Sequence, residues 1–203
     1  MKKLIIEIAS AGIVSAFGAA AVFAAPAPAT WNQTVQVTSN SVITLTSTAG
    51  SPVTINADPT VNSGFGTVAV PLTVSSNNET GYSLTLSMIS GDTHSGALFD
   101  DGSAAPLTTT DTVAGIPAAG TLVANQWGYT VAIGSNTVPT IASSFSKVPN
   151  LVSDGGAGAV TLMNASAEGT SNVFVNYGAV IDYTLASGIT YSNQVTYTAS
   201  VNP

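Results

Sequence analysis

The sequence predicts an all-β protein, folded as a single antiparallel β-sandwich behind an N-terminal signal helix. Apolar and polar residues alternate with a period of two along most of the chain, and no apolar stripe recurs at helical spacing after the leader. The segments between these runs are rich in Gly, Asn and Ser, which are turn residues. Cysteine is absent, so the core must hold the fold without disulfides, and the chain is long enough for this.

The first 24 residues have the pattern of a secretory signal peptide. Two lysines precede an apolar, Ala-rich run that ends in small residues, so we expect cleavage after Ala24. Residues 25–33 would then form a linker or N-terminal arm, and residues 34–203 the β-sandwich domain. The alternative is an uncleaved membrane helix, because residues 8–25 approach the roughly 18 residues that span a bilayer. The modest hydrophobicity of this run favours cleavage.

The charge balance limits the partners that the protein can have. Removal of the leader takes away Glu7, Lys2 and Lys3 and leaves nine acidic residues against Lys147, a net charge of about −8. Such a surface repels phosphate backbones and anionic lipid, so neither nucleic acid nor a membrane is an expected partner. Only 6% of the residues are charged, while Ser, Thr and Asn are abundant. This composition favours a secreted protein of the extracellular cell surface.

The strands can be placed in order from the alternation. In TVAVPLTVSS the apolar residues from Val68 to Val74 share one face, and in TGYSLTLSM those from Tyr82 to Met88 do. The predicted strands cover residues 34–37, 42–48, 53–56, 68–74, 82–88, 126–133, 159–163, 173–183 and 195–201. About nine or ten short strands, with turns roughly every 8–12 residues, are typical of an Ig-like or jelly-roll-like sandwich.

Two turns predict hairpins. Gly81 in SNNETG and Gly188 in ASG can adopt a positive φ, so the strand before each turn should pair with the strand after it. The second turn would pair the C-terminal strand with residues 173–183 in a closing hairpin, with Tyr183 facing the core. Pro71 has no N–H group, which predicts an edge position or a bulge in its strand.

Two long segments, residues 91–120 and 134–158, interrupt the strand pattern. They are rich in Gly, Pro, Ser and Asp and only sporadically apolar. Loops of this length often carry recognition. The simpler interpretation is that these loops only cover a sheet edge, with a few apolar side chains anchored in the core. These anchors would be Leu98, Phe99, Ile116 and Phe145.

Three stretches together carry a resemblance to a known group. They are VPLTVSSNNETGYSLTLSM, ANQWGYTVA and VNYGAVIDYTLASGITYSNQVTYTA. They resemble secreted β-sandwich surface proteins of small-genome, host-attached bacteria, in which a Thr-Gly-Tyr hairpin, a Trp-Gly-Tyr strand and a Tyr-rich closing strand occur in this order. The resemblance covers roughly residues 68–199 and implies an exported surface location and the sandwich fold rather than an activity. The chain is distantly similar to WxL cell-wall domains, but it lacks their Trp-x-Leu signatures.

Catalytic chemistry has little support in the sequence. His94 is the only histidine and lies two residues from Asp92 among serines; an exposed loop histidine explains it better than a Ser-His-Asp set. Without cysteine, ligands for a transition metal are lacking. A glycosidase would need two neighbouring carboxylates from the set Asp100, Asp101, Asp111, Asp154, Glu168 and Asp182. We therefore predict a non-enzymatic protein.

Calcium is the one cofactor that the loops could bind, since it takes carboxylate and carbonyl oxygens. FDDGS and SDGGAG supply Asp100, Asp101 and Asp154, without the spacing of a calcium loop, and Asp beside Gly is also typical of a turn. Lys147 is expected to be an exposed loop lysine. Sequons that permit glycosylation occur at Asn32, Asn78 and Asn164.

The leading functional hypothesis is a structural or adhesive cell-surface protein, a coat or filament subunit that assembles by β-strand addition. A segment such as TWNQTVQVTSNSVITLT can add to a neighbour's sheet edge, with Val35 and Val37, and Trp31 ahead of them, as the inserted face. Pairing within its own subunit is the other option. The alternative function is a monomeric secreted module that binds a glycan or a host surface through residues 91–120 and 134–158. A secreted hydrolase is the third hypothesis.

Overall fold

The computed structural model describes residue 36 and residues 39–89, 96–100, 112–115, 118–149, 158–185 and 188–203. These residues form an all-β fold of two sheets that pack against each other, which confirms the predicted fold class at this level. The elements below belong to one compact unit, Ser39–Pro203. Within the described ranges no helix is long and apolar enough to cross a membrane. The expected signal segment and the arm at residues 25–33 lie outside the described residues.

The described strands are β1 Ile43–Ser47, β2 Phe65–Ser76, β3 Tyr82–Met88, β4 Leu98–Asp100, β5 Thr112–Gly115, β6 Gln126–Ile133, β7 Val160–Ala165, β8 Gly169–Val180, β9 Tyr191–Ser192 and β10 Val195–Val201. A single 3-10 turn, Asn62–Gly64, precedes β2. The large sheet has the order β1-β2-β8-β6-β5-β4-β9, and the small sheet has the order β10-β3-β7.

One strand pair departs from the predicted antiparallel arrangement. β5 runs parallel to β6, with Ala114 opposite Gln126, whereas the other described pairs are antiparallel. A parallel pair needs a connection that returns the chain to its starting end. β5 ends at Gly115 and β6 begins at Gln126, so the prediction of a purely antiparallel fold is wrong for this pair.

The main core lies between the two sheets, and the alternation of residues in β2, β3 and β8 is confirmed. Leu84 and Leu86 of β3 and Val173 of β8 are 0% exposed. Their neighbours in sequence, Ser83 and Thr85, lie on the wet face. The core residues on these three strands are Val70, Leu72, Val74, Tyr82, Leu84, Leu86, Met88, Val173, Val175, Tyr177 and Ala179. Burial of this apolar set is the main stabilising contribution to the fold.

Two tyrosines join the sheets through the core. The hydroxyls of Tyr177 on β8 and Tyr197 on β10 lie 2.6 Å apart, and the ring of Tyr177 packs against Trp127 at a centroid distance of 5.9 Å. Burial is the main cause that raises the pKa of Tyr177 far above its ordinary value, and burial also raises the pKa of Tyr197 to about 12. Both hydroxyls therefore stay protonated at neutral pH and satisfy each other.

The Tyr197→Phe variant is expected to lower the free energy of unfolding by about 1–2 kcal/mol, because a buried Tyr177 hydroxyl then loses its partner. The Tyr177→Phe/Tyr197→Phe double variant should lose less than the sum of the two single variants. Urea unfolding of the four proteins measures this coupling. Strict additivity of the two losses would contradict a direct bond between the hydroxyls.

The same pair predicts a loss of stability at alkaline pH. The unfolded tyrosines titrate near pH 10, while the folded pKa values are raised, so folding favours the protonated form. The stabilisation is complete below about pH 10 and is lost as the pH rises toward 12. Thermal unfolding between pH 9 and about 12 should show a steeper decline in the wild type than in the double Phe variant.

Both predicted hairpins are wrong, although their turn glycines are predicted correctly. Gly81 and Gly188 have φ values of +88° and +76°. The turn at Gly81 takes the chain from β2 in the large sheet to β3 in the small sheet, so these strands do not pair. The closing strand β10 pairs with β3, not with β8. Alternation identifies the face that is buried, but a turn glycine serves a hairpin and a crossing between sheets equally well.

Two further expectations need correction. Residues 53–56 are not a strand; this segment passes over the inner face of β2, where Gly66 leaves room for the carbonyl of Asn56. Tyr183 was expected in the core but is 76% exposed, because β8 ends at Val180 and the chain turns there. At Tyr183 the strand ends earlier than the alternation of side chains does.

Pro71 occupies an edge position, as predicted. Its strand β2 lies between β1 and β8, but β1 ends where Ser47 faces Leu72. The Ser47 hydroxyl donates to the Pro71 carbonyl at 2.8 Å, so the backbone of Pro71 faces the side that β1 has just left. Because the N and C=O of one residue point the same way, the missing N–H removes no ladder bond.

A second, smaller cluster lies on the outer face of the large sheet. Phe145 is 0% exposed and packs edge-on against Phe65 at a centroid distance of 6.0 Å. Leu122 and Val180 complete the buried set. Phe145 is thus a confirmed anchor, although it lies in this outer cluster; Leu98 and Phe99 are partly buried, and Ile116 lies outside the described residues. This cluster holds the chain around residues 134–149 against the sheet.

Candidate interaction surface

Many residues singled out in the sequence lie outside the part of the chain that the structure describes. They are Trp31, Asn32, Val35, Val37, His94, Asp101, Asp111 and Asp154. Within the described part, Asp100 is a partly buried residue of β4 and Glu168 is exposed. Lys147 is only partly exposed and has an interaction partner, so its prediction as a freely exposed lysine is wrong.

The described carboxylates do not gather into a site. No three His, Cys, Asp or Glu side chains of the described residues come together. Asp182 instead organises the turn after β8, where it accepts hydrogen bonds from the hydroxyl and the backbone N–H of Thr184 and from the amide of Asn125. These bonds, in this order, hold the pKa of Asp182 below its ordinary value. This carboxylate has a structural role.

The two described sequon asparagines differ in their use of the amide nitrogen. Asn78 Nδ2 donates to Thr80 Oγ1, Gly81 O and Asn202 O at distances of 2.7–2.9 Å. Asn164 is exposed, and its Oδ1 accepts one bond from Asn202 at 3.2 Å. A glycan is attached through Nδ2, so at Asn78 it would displace bonds that tie the C-terminus to the β2–β3 turn.

If the folded protein is offered to an oligosaccharyltransferase with its lipid-linked donor, we expect modification at Asn164 and little at Asn78. After denaturation, both sequons should react, because the bonds of Asn78 Nδ2 are then broken. Glycopeptide mass spectrometry measures the occupancy of each site. Equal occupancy of Asn78 and Asn164 in the folded protein would contradict the structural role of Asn78.

Trp127 belongs to the core and not to an exposed aromatic platform. It is 4% exposed, and its indole N–H donates to the carbonyl of Gly96 at 2.8 Å. Tyr82 and Tyr177 are equally buried. Core packing therefore explains the described aromatic residues of the inner face.

Among the described residues, the last ones of β6 form a sheet edge with no partner strand on the side away from β8. At Tyr129, the backbone N–H and C=O bond to Ser146 on the side away from β8. Because this direction alternates along an antiparallel strand, the backbone groups of Val131 and Ile133 also point away from β8. In the described ranges nothing pairs with them on that side. We call the backbone of Val131 and Ile133 the open edge.

The core face is incomplete beside the open edge. Trp127, Tyr129, Val131 and Ile133 share the inner phase of β6, and the first two are 4% and 5% exposed. Ile133, in contrast, is 59% exposed. A side chain on the inner face of a strand becomes this accessible when no neighbouring strand packs against it. At the end of β6, therefore, the exposed side chain of Ile133 lies beside backbone groups that no described strand pairs with.

A shallow groove of about 450 Å³ lies beside the open edge. Its lining consists of residues 130–133, 135, 137–139, 143 and 144, none of which carries a charge. Exposed Ile133 and Val138 line it together with several hydroxyls. The lining residue Thr137 is tied to β8 through its carbonyl, which accepts a hydrogen bond from buried Asn176 at 3.4 Å. We call this the edge groove.

Comparison of the chain with protein-family models, with curated proteins and with solved structures finds no match. The function must therefore be argued from the geometry of this chain.

Sequence reasoning missed the open edge. The alternation in QWGYTVAI predicts β6 with its observed bounds, and the composition of residues 134–158 predicts a loop. A missing neighbour leaves no mark in the strand itself. The one available signal was that Ile133, an inner-phase residue, is followed directly by the polar run GSNT.

Proposed function

We propose that the protein is a non-enzymatic, extracellular structural or adhesive component of a cell surface, which associates with its own kind by β-strand addition. The single observation that carries the proposal is the open edge of β6 beside an uncharged groove. The domain would be an antiparallel-rich β-sandwich of the Ig-like or jelly-roll-like class, behind a cleaved signal peptide. The resemblance to secreted surface proteins of host-attached bacteria supports this location.

An open edge is suited to this function because its backbone groups are obligatory hydrogen-bonding partners. Soluble proteins usually protect such an edge with charge, Pro or a bulge. Val131 and Ile133 have none of these, and the groove beside them is free of charge, in a chain whose net charge is −7. A strand that adds here gains main-chain bonds and covers the exposed Ile133 side chain.

A structural role fits the polar clusters that the structure describes, because these clusters stabilise the fold. Asp182 and Asn125 join two turns, Asn78 holds the C-terminus, and the tyrosine pair joins the sheets. None of them lines the edge groove.

The Val131→Pro variant tests the edge. Its backbone nitrogen faces away from β8, so proline should remove the edge donor without breaking the β6–β8 ladder. We expect the purified mature protein to form polymers in sedimentation and electron microscopy, and Val131→Pro to remain monomeric with native circular dichroism. Val131→Ala, which keeps the N–H, is the matched control and should polymerise. A monomeric wild type, or polymers unaffected by the proline, would refute assembly through this edge.

A second function, a monomeric glycan-binding or host-surface module, is favoured by the hydroxyls of Ser135, Thr137 and Ser143 in the same groove. Its lining has neither an aromatic ring for stacking on a sugar nor a carboxylate, which makes it the weaker proposal. Glycan-array binding by a monomeric wild type, lost in a Ser135→Ala/Ser143→Ala variant, would favour it over assembly.

A further inference from the structure

We infer that the strand added to the open edge is the segment 31–37 of a second copy of this chain, with Val35 and Val37 placed beside the inner face of β6. This inference rests on the proposed function and names its partner. It assigns one donor and one acceptor to each copy.

The spacing of the two valines in the segment matches that of the inner-face residues at the end of β6. Val35 and Val37 are two residues apart, as are Val131 and Ile133. In a paired strand such residues share a face, so the two valines would lie beside Val131 and cover Ile133, which is 59% exposed. Burial of these apolar side chains would stabilise the added strand. The intervening Gln36 would lie on the outer face.

Charge also agrees between donor and acceptor. The segment TWNQTVQVTSN contains no charged residue, and neither does the lining of the edge groove. In a chain with ten acidic residues, a neutral strand and a neutral groove avoid both repulsion between copies and the burial of an unpaired carboxylate. The Gln and Thr side chains of the segment can bond with the groove hydroxyls.

The covalent reach of the chain requires a second copy. Residues Ser39 to Val42 are held at the end of β2 by Asn77, which accepts from the Val42 N–H at 2.6 Å and donates to the Asn40 carbonyl at 3.0 Å. From Asn77 to the position beside Ile133 is about three strand spacings across and five residues along, or about 22 Å. Val37 lies only three residues before Asn40 and reaches about 10 Å. It cannot reach the open edge of its own chain.

A donor and an acceptor on different surfaces make a head-to-tail contact. Such contacts continue into a filament unless the rotation between copies closes a ring. Copies of the chain would thus form a polymer with one kind of interface.

Cysteine cross-linking tests this pairing. The chain contains no cysteine, so only the introduced cysteines can form a disulfide. One copy carries Gln36→Cys, and a second copy with a different affinity tag carries Thr130→Cys or Ala132→Cys on the outer face of β6. Opposite residues of paired strands are close enough for a disulfide. Matched acceptors on other outer strands are Thr161→Cys on β7 and Thr196→Cys on β10, both exposed.

We expect mixed-tag disulfide dimers with a β6 acceptor at a yield at least about ten times that with the β7 or β10 acceptor. Polymers that cross-link through β7 or β10 instead would overturn this inference and leave the proposed function standing. If neither polymers nor cross-links form, both this inference and the proposed function are overturned. Polymers formed by a protein lacking residues 31–37 would overturn the donor alone. Ile133→Lys should abolish the β6 cross-link, while Val61→Lys, at a site with 60% exposure away from the groove, should not.

Discussion

Gly81→Ala is expected to lower the free energy of unfolding by about 3 kcal/mol, the larger of two effects that the backbone predicts. Gly81 has a φ of +88°, which strains any residue with a Cβ. The added Cβ would also lie 2.0 Å from the carbonyl oxygen of Ala165, a backbone atom that cannot rotate away. The N–H of Asn202 donates to the Gly81 carbonyl, so a shift here would also loosen the C-terminus.

Gly188→Ala is the matched control for this prediction. Gly188 has a similar φ of +76°, but no atom of the described residues lies within 4 Å of its added Cβ. The Gly188→Ala variant should lose only about 1 kcal/mol of the free energy of unfolding, because a residue with a Cβ is strained at a positive φ. Urea unfolding of both variants separates strain from collision. Equal losses at Gly81 and Gly188 would show that the close approach of Ala165 is not present in solution.

Gly178→Ala is expected to destabilise the protein by about 1–3 kcal/mol through overpacking. The added Cβ would lie 2.4 Å from Cε1 of Phe145. The ring cannot move aside cheaply because it is fully buried and packs against Phe65. The displaced ring should loosen the chain that forms the edge groove, so the variant should also assemble less well.

The Gly178→Ala/Phe145→Leu double variant checks the cause. Leucine removes the ring edge that collides with the new Cβ, so the double variant should lose less stability than the two single variants together. Urea unfolding of the four proteins measures this difference. A double loss equal to or greater than the sum would mean that the cost at Gly178 does not come from Phe145.

The buried faces of the strands could be predicted from the sequence, but the partners of the strands could not. Alternation placed Leu84, Val175 and Tyr177 in the core, since burial depends on which side of its own strand a residue lies. Pairing depends on distant contacts. The turn at Gly81 has the chemistry of a hairpin, yet β2 and β3 belong to different sheets, because each pairs better with strands far away in sequence.

The candidate site was less predictable than the fold. The composition predicts that residues 134–158 form a long loop and that Phe145 anchors it. The open edge, however, arises because the chain joins β6 only at Ser146, opposite Tyr129. Ser143 and Ser144, which precede it, line the groove instead of pairing with Val131. This divergence depends on the outer cluster around Phe145 and on Asn176 beneath Thr137. Neither contact has a local signature.

Amide hydrogen exchange can show directly whether the open edge of β6 receives a strand from another copy. The backbone N–H groups of Val131 and Ile133 should exchange at least about tenfold more slowly in the assembled protein than in a variant lacking residues 31–37, because a hydrogen-bonded amide exchanges only when it opens. The N–H of Thr130, bonded to β8 in either case, should be unchanged. Equal exchange rates at Val131 and Ile133 in the two proteins would contradict strand addition at this edge.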